Sequence, residues 1–198
     1  ALQMQVRSGV FLSGIRRIGK TTFLRQDLIP ALEAMGALVI YVDLWSDRSK
    51  SAASLVHESV RKTLSELSSH GAKLVDRLKA MNVGAAGFTF GFQIDAIGKP
   101  GGATLSEVFT ELIDKAKTDV VLIVDEVQQA LGTEDGSNLL FALKAARDAV
   151  NTRPNTPGHL LFLGTGSHKS LVADMATRRS QPFAGAVSTG YEPLGADF

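Results

Sequence analysis

The chain has 198 residues, 44% hydrophobic and 21% charged, with a formal net charge of +1 and no cysteine. That size and balance fit one globular domain, residues 1–198, able to bury a core without staples, and they exclude disulfides, thiolate metal sites and cysteine nucleophiles. The basic pairs Arg16–Arg17 and Arg178–Arg179 are too short for a nucleic-acid footprint, and the longest purely aliphatic run, Val120–Val124, falls far short of the roughly 20 residues of a membrane helix.

Val6–Ser13 is expected to form a short buried strand, followed by a loop over Gly14–Gly19. From Lys20, the residues Phe23, Leu24, Leu28 and Leu32 recur at helical spacing up to Gly36. Ala37–Val42 is a second apolar strand, ending at Asp43. Ser51–Ser69 reads as an amphipathic helix with Ala52, Leu55, Val56, Val60, Leu64 and Leu67 on one face, and Ala72–Met81 as a further helix. In the glycine-rich segment Gly84–Gly102, Phe88, Phe90, Phe92 and Ile94 alternate with Thr89, Gly91, Gln93 and Asp95. That is strand period, so a strand or hairpin insertion is expected there.

Thr104 and Glu107 form a capping-box pattern before Leu105, Val108, Phe109, Leu112, Ile113 and Ala116. Asp119–Val124 is a third strand, wholly apolar from Val120 on, that ends in Asp125-Glu126. Ser137–Val150 is helical, and Asn151–Gly158 is a loop marked by Pro154 and Pro157. His159–Gly164 is a fourth buried strand, Lys169–Ala176 a short helix, and Ala186–Tyr191 a fifth strand. Continuous apolar strands alternating with amphipathic helices predict an α/β fold with a parallel sheet covered on both faces. The chain opens almost directly on a strand and stops at Ala196-Asp197-Phe198, as expected of a domain cut from a longer protein.

Gly14-Ile15-Arg16-Arg17-Ile18-Gly19-Lys20-Thr21 matches the pattern G-x-x-x-x-G-K-[ST] at every fixed position, between a predicted strand and a predicted helix. The glycines free the backbone, so that the amides of the loop and of Lys20 to Thr22 can turn inward as an anion nest. The helix behind adds the positive end of its dipole. Lys20 is spaced to reach β- and γ-phosphates, and the Thr21 hydroxyl is a hard oxygen suited to Mg²⁺. Asp125 and Glu126 stand at the carboxyl end of a buried strand, the edge at which parallel α/β sheets bind ligands. Asp125 is the second candidate for holding Mg²⁺, and Glu126 the candidate base for an attacking water. These residues point to ATP as ligand and to its hydrolysis.

Gly14 to Thr22, with Ile123-Val-Asp-Glu-Val-Gln128, resembles the archaeal-type ATPases, AAA+-related P-loop proteins near the signal-transducing (STAND) ATPases. Asp43 and Gly164-Thr-Gly-Ser167 add to the likeness. The resemblance implies a three-layer P-loop NTPase sandwich with strand order 5-1-4-3-2. It also implies a polar sensor at the end of the fourth strand, for which Thr165 and Ser167 are candidates; Ser167 could instead cap the following helix. It implies adenine contacts ahead of the first strand and a lid or winged helix behind the fifth. Both lie outside this chain, as would a protein partner or oligomer contact. A cytoplasmic location fits this picture, with no membrane association.

Other residues invite weaker readings. Arg178 and Arg179 are candidates for an arginine finger given to a neighbour. Arg16 and Arg17 could touch phosphate or simply be solvated. Asp43 and Gln128 read as solvent-facing ends of elements, with metal support and water placement as the alternatives. The phenylalanine stripe could face a partner or pack on the domain. Two rivals to an active ATPase remain open on the sequence: a slow nucleotide-gated switch or scaffold, and a DNA-associated motor or defence ATPase. A small-molecule kinase is the least favoured, because Glu126 argues for water as acceptor.

Overall fold

The computed structural model describes residues 9–69 and 87–191. The strands are β1 (Val10–Ser13), β2 (Leu38–Asp43), β3 (Val120–Asp125), β4 (Leu160–Gly166) and β5 (Val187–Gly190). They form one sheet in the order β2-β3-β4-β1-β5, and every paired neighbour is parallel. This is the expected strand order of a P-loop NTPase sandwich. β3 lies at the centre of the apolar pattern, and all six of its residues are buried. Its period-two alternation divides the core. Val120, Leu122 and Val124 face a large cluster, whereas Val121 and Ile123 face a smaller one.

The large cluster is covered by α3 (Ala52–Ser68), α4 (Leu105–Ala116), α5 (Glu134–Asn151) and α6 (Lys169–Thr177). The smaller one is closed by Leu24, Leu28, Ile29 and Leu32 of the helical run after the loop. That run consists of α1 (Lys20–Phe23), a wide π turn (Leu24–Leu28) and α2 (Ile29–Ala34). Pro30 lacks the N–H that would bond the carbonyl one turn back, and its ring crowds that carbonyl; a widened turn just before it relieves the clash. The helix thus ends near Gly36 as expected, but with an irregularity that its apolar spacing does not reveal.

The caps follow the sequence. Ser51 accepts from the Ser54 amide at the start of α3. Thr104 and Glu107 complete the capping box of α4, whose six expected apolar residues are all buried. α5 begins three residues earlier than expected, because Thr133 caps it by accepting from the Gly136 amide.

The expected strand or hairpin of the glycine-rich segment is corrected over residues 87–102, which hold no strand but loop and a short 3-10 turn at Ile94–Ala96. The alternation itself is real. Phe88, Phe90, Phe92 and Ile94 are half-buried and pack on the large cluster, while the residues between them are exposed. This extended run satisfies its backbone on helices instead of a ladder: the Phe88 amide donates to the Leu67 carbonyl, and the Gly91 amide to Glu111 Oε1 at 2.7 Å. The period of the side chains sets their facing, and among the described residues no strand pairs with this run. The stripe therefore packs on the domain. The expected residues 6–8 of the first strand, the Ala72–Met81 helix and residues 84–86 lie outside the described residues.

Candidate nucleotide site

Parallel strands bring the ends of β1, β2, β3 and β4 to one edge. In register, Asp43 lies beside Asp125, Val124 beside Gly164, and Ser13 beside Gly166. The loop after β1 turns over this edge, anchored by the Gly14 amide donating to the Gly166 carbonyl at 3.1 Å. Its two fixed glycines serve different ends. Gly19 has φ of +92°, and a Cβ at Gly14 would stand 2.9 Å from the Tyr191 carbonyl. Arg17 also takes positive φ, at 63°.

Lys20 is buried, and its ammonium donates to the carbonyls of Gly14 at 2.8 Å and Ile15 at 3.0 Å. A cavity of about 750 Å³ opens above, lined by Arg16, Arg17, Gly19, Lys20, Thr21, Thr22, Trp45 and Glu126. Ile15 is exposed on the outside of the loop, and Ile18 is half-buried. The Arg16 guanidinium lies 4.4 Å from the centre of the Trp45 ring, at the mouth of the cavity. Trp45 is held by the Asp43 carboxylate, which accepts from the Trp45 amide at 2.8 Å. Asp43 is thus the brace of a turn, not a freely solvated strand end.

Asp125 is 1% exposed and is the hub of the site. Its Oδ2 accepts from Thr21 Oγ1 at 2.7 Å and from the Tyr41 hydroxyl at 3.1 Å. Its Oδ1 accepts from Thr165 Oγ1 and from the Glu126 amide. Burial, with the Asp125 charge behind it, pushes the Tyr41 phenol above its ordinary range, against an opposing hydrogen bond from Arg25. Thr165 is wholly buried, so its hydroxyl supports the aspartate and does not face the cavity.

Glu126 takes a left-handed conformation with φ of 55°. The turn directs its carboxylate towards Ser167, whose Oγ donates to Oε2 at 2.9 Å, and towards Gln128 Nε2, which donates to the same oxygen. Two readings are corrected here. Gln128 is 5% exposed, not solvent-facing, because the chain folds it under the end of β4 onto Gly166. Ser167 does not cap α6; its N-cap residue is His168, with no side-chain cap bond. Arg178 pairs with Asp174 at 3.0 Å, and neither Arg178 nor Arg179 lines the cavity.

The sequence reading missed Tyr41 and Trp45. Tyr41 left a trace, as the one hydroxyl in the aliphatic run of β2, where a half-buried phenol needs a partner. Trp45 left none, because its place depends on the loop and β2 meeting across the sheet.

Fold and loop together define a P-loop NTPase core. The chain belongs to the family of ATPase domains found predominantly in Archaea, whose family model matches residues 1–179. Among solved structures it is similar to the Aeropyrum pernix ORC2 protein. The ADPNP–ADP complexes of ORC2 give 14% identity, a TM-score of 0.57 and coverage of 96% of this chain and 44% of that one. The ADP form gives 15%, 0.53, 92% and 42%. The A. pernix ORC1 protein in complex with DNA gives 16%, 0.49, 96% and 40%. This chain therefore spans less than half the length of each of these neighbours. No curated protein matches it. Among the described residues, no helix is long and apolar enough to cross a membrane.

Proposed function

We propose that the chain binds ATP with magnesium over Gly14 to Thr22 and hydrolyses it, with Glu126 as general base. The observation that carries this reading is the 2.7 Å contact between Thr21 Oγ1 and the buried Asp125 Oδ2, where Thr21 lines the same cavity as Lys20. Two hard oxygens from opposite elements fit Mg²⁺, which takes few protein ligands and completes its shell with phosphate and water. When bound, the metal neutralises charge on the phosphate oxygens. The family assignment and the fold shared with ORC2, which is known with ADPNP and ADP, support a nucleotide ligand.

The chain's own groups then act in order. Lys20 exchanges its bonds to the Gly14 and Ile15 carbonyls for β- and γ-phosphate oxygens. Backbone amides from Ile15 to Thr22 cradle the β-phosphate. Arg16 and Arg17 add positive charge at the cavity wall. A water attacks the γ-phosphorus and passes its proton to the Glu126 carboxylate, as the bond to the β–γ bridging oxygen breaks; ADP leaves with that oxygen, its charge held by Lys20. Thr165 steadies Asp125, and Ser167 with Gln128 steadies Glu126. A cytoplasmic site of action accords with this chemistry.

One observation favours a slow, switch-like turnover: Oε2 of Glu126 is already taken by Ser167 and Gln128. Both readings use the same base, and phosphate release tests it. Glu126→Gln is expected to keep ATP binding and to lower steady-state turnover about a hundredfold. Turnover equal to that of the unaltered chain would remove Glu126 from the chemistry.

A further inference from the structure

Asp125 Oδ2 has two donors of different standing. Thr21 stands exposed at the cavity, where its oxygen is offered to the metal. Tyr41 reaches the same oxygen from β2, on the sheet face closed by the helix after the loop. Its ring is held in turn, since the Arg25 guanidinium lies 4.9 Å from the ring centre. Arg25 belongs to the π turn Leu24–Leu28, the one irregular stretch of that helix. Wide turns of this kind redirect side chains and recur at functional sites. No motif reading accounts for any of these three features.

We propose that Tyr41, clamped by Arg25, is a positioning residue that fixes the carboxylate of Asp125 for magnesium. This rests on the metal reading of Asp125 given above. A carboxylate can rotate about its last torsion. Thr165 and the Glu126 amide pin Oδ1, but on Oδ2 only Tyr41 is a donor that does not itself face the metal. Losing that donor removes one of the bonds that oppose this rotation, and outer partners of metal-binding carboxylates commonly change metal affinity by about tenfold or more. Phenylalanine at position 41 keeps the ring and its face-on contact with Arg25, and removes the hydroxyl with its bonds to Asp125 and Arg25.

The test is a Mn²⁺ titration of the ADP-loaded chain, read by electron paramagnetic resonance, with metal-free ADP affinity measured alongside. Tyr41→Phe is expected to weaken Mn²⁺ about tenfold and to leave metal-free ADP affinity and the melting temperature unchanged. Arg25→Leu, which loosens the ring but keeps the hydroxyl, is expected to weaken Mn²⁺ less. Wild-type Mn²⁺ affinity in Tyr41→Phe, or an equal loss of metal-free ADP affinity, would overturn the proposal. Asp125→Asn separates the two claims. If it also bound Mn²⁺ like the wild type, the metal reading itself would fall, and this inference with it; if it lost Mn²⁺ while Tyr41→Phe did not, only the inference would fall.

Discussion

At the scale of single residues, the site depends on Glu126 holding an uncommon backbone conformation. A left-handed non-glycine residue costs about 1–2 kcal/mol, and such strain persists only where the surroundings fix it. Here the Glu126 amide bonds back to Asp125, while Ser167 and Gln128 grip its carboxylate. Gln128 is pressed in turn against Gly166, where a Cβ would overlap its side-chain oxygen. Gly166→Ala should therefore push Gln128 off Glu126. The expected result is ATP binding within about twofold of wild type with turnover lowered about tenfold, since one positioned acid–base group contributes 10²- to 10⁴-fold and here is only misaimed. Fluorescent-nucleotide titration beside a phosphate-release assay checks it; equal turnover would show that Gln128 is idle. Lys20, Thr21, Asp125 and Glu126 were legible in the sequence because each sits in a short local pattern. Gln128 was misread, and Tyr41 went unremarked, because both draw their meaning from strands far away in the chain.

Elements form where local signals agree with burial. α4 has its capping box and a face of six buried apolar residues, and it begins where the sequence says. Thr104→Ala should lower stability by about 1 kcal/mol, the usual worth of an N-cap. Urea unfolding should show an earlier midpoint with an unchanged slope, and nucleotide affinity should not move, since α4 does not reach the cavity. The glycine-rich segment teaches the converse. Its alternation was legible, but a strand needs a partner edge, which a side-chain pattern does not report. The loop that follows packs closely on α3: at Gly98, with φ of +78°, a Cβ would overlap the His57 ring. Burial, with the Arg61 charge beside it, holds the His57 imidazole below its ordinary range, while Asp135 pulls the other way. The unfolded chain therefore takes up this proton first as pH falls. His57 favours the fold above its ordinary value near 6.5, and that contribution is lost as pH falls through the lower folded value. Melting temperatures taken between about pH 7.5 and 5.5 should fall more steeply for the wild type than for His57→Gln. Parallel slopes would show that His57 carries no such linkage.

For the molecule as a whole, the parallel α/β class followed from alternating apolar strands and helices. The strand order did not, because continuous apolar strands can be permuted without changing their composition. It came through the resemblance of the loop and the acidic pair to known ATPases, and the sheet carries that order. The order matters chemically. Placing β4 between β1 and β3 sets the loop and Glu126 around one cavity, with Asp125 bonded to Thr21 and Ser167 to Glu126 behind its wall. ATP hydrolysis at this site requires that the cavity take up a triphosphate together with a metal. The most direct measurement is calorimetric titration of ATP into the folded chain, with and without magnesium, beside Lys20→Ala. We predict saturable binding that tightens when magnesium is present and is lost in Lys20→Ala. Binding indifferent to both magnesium and Lys20, or no heat at all from well-folded protein, would contradict it.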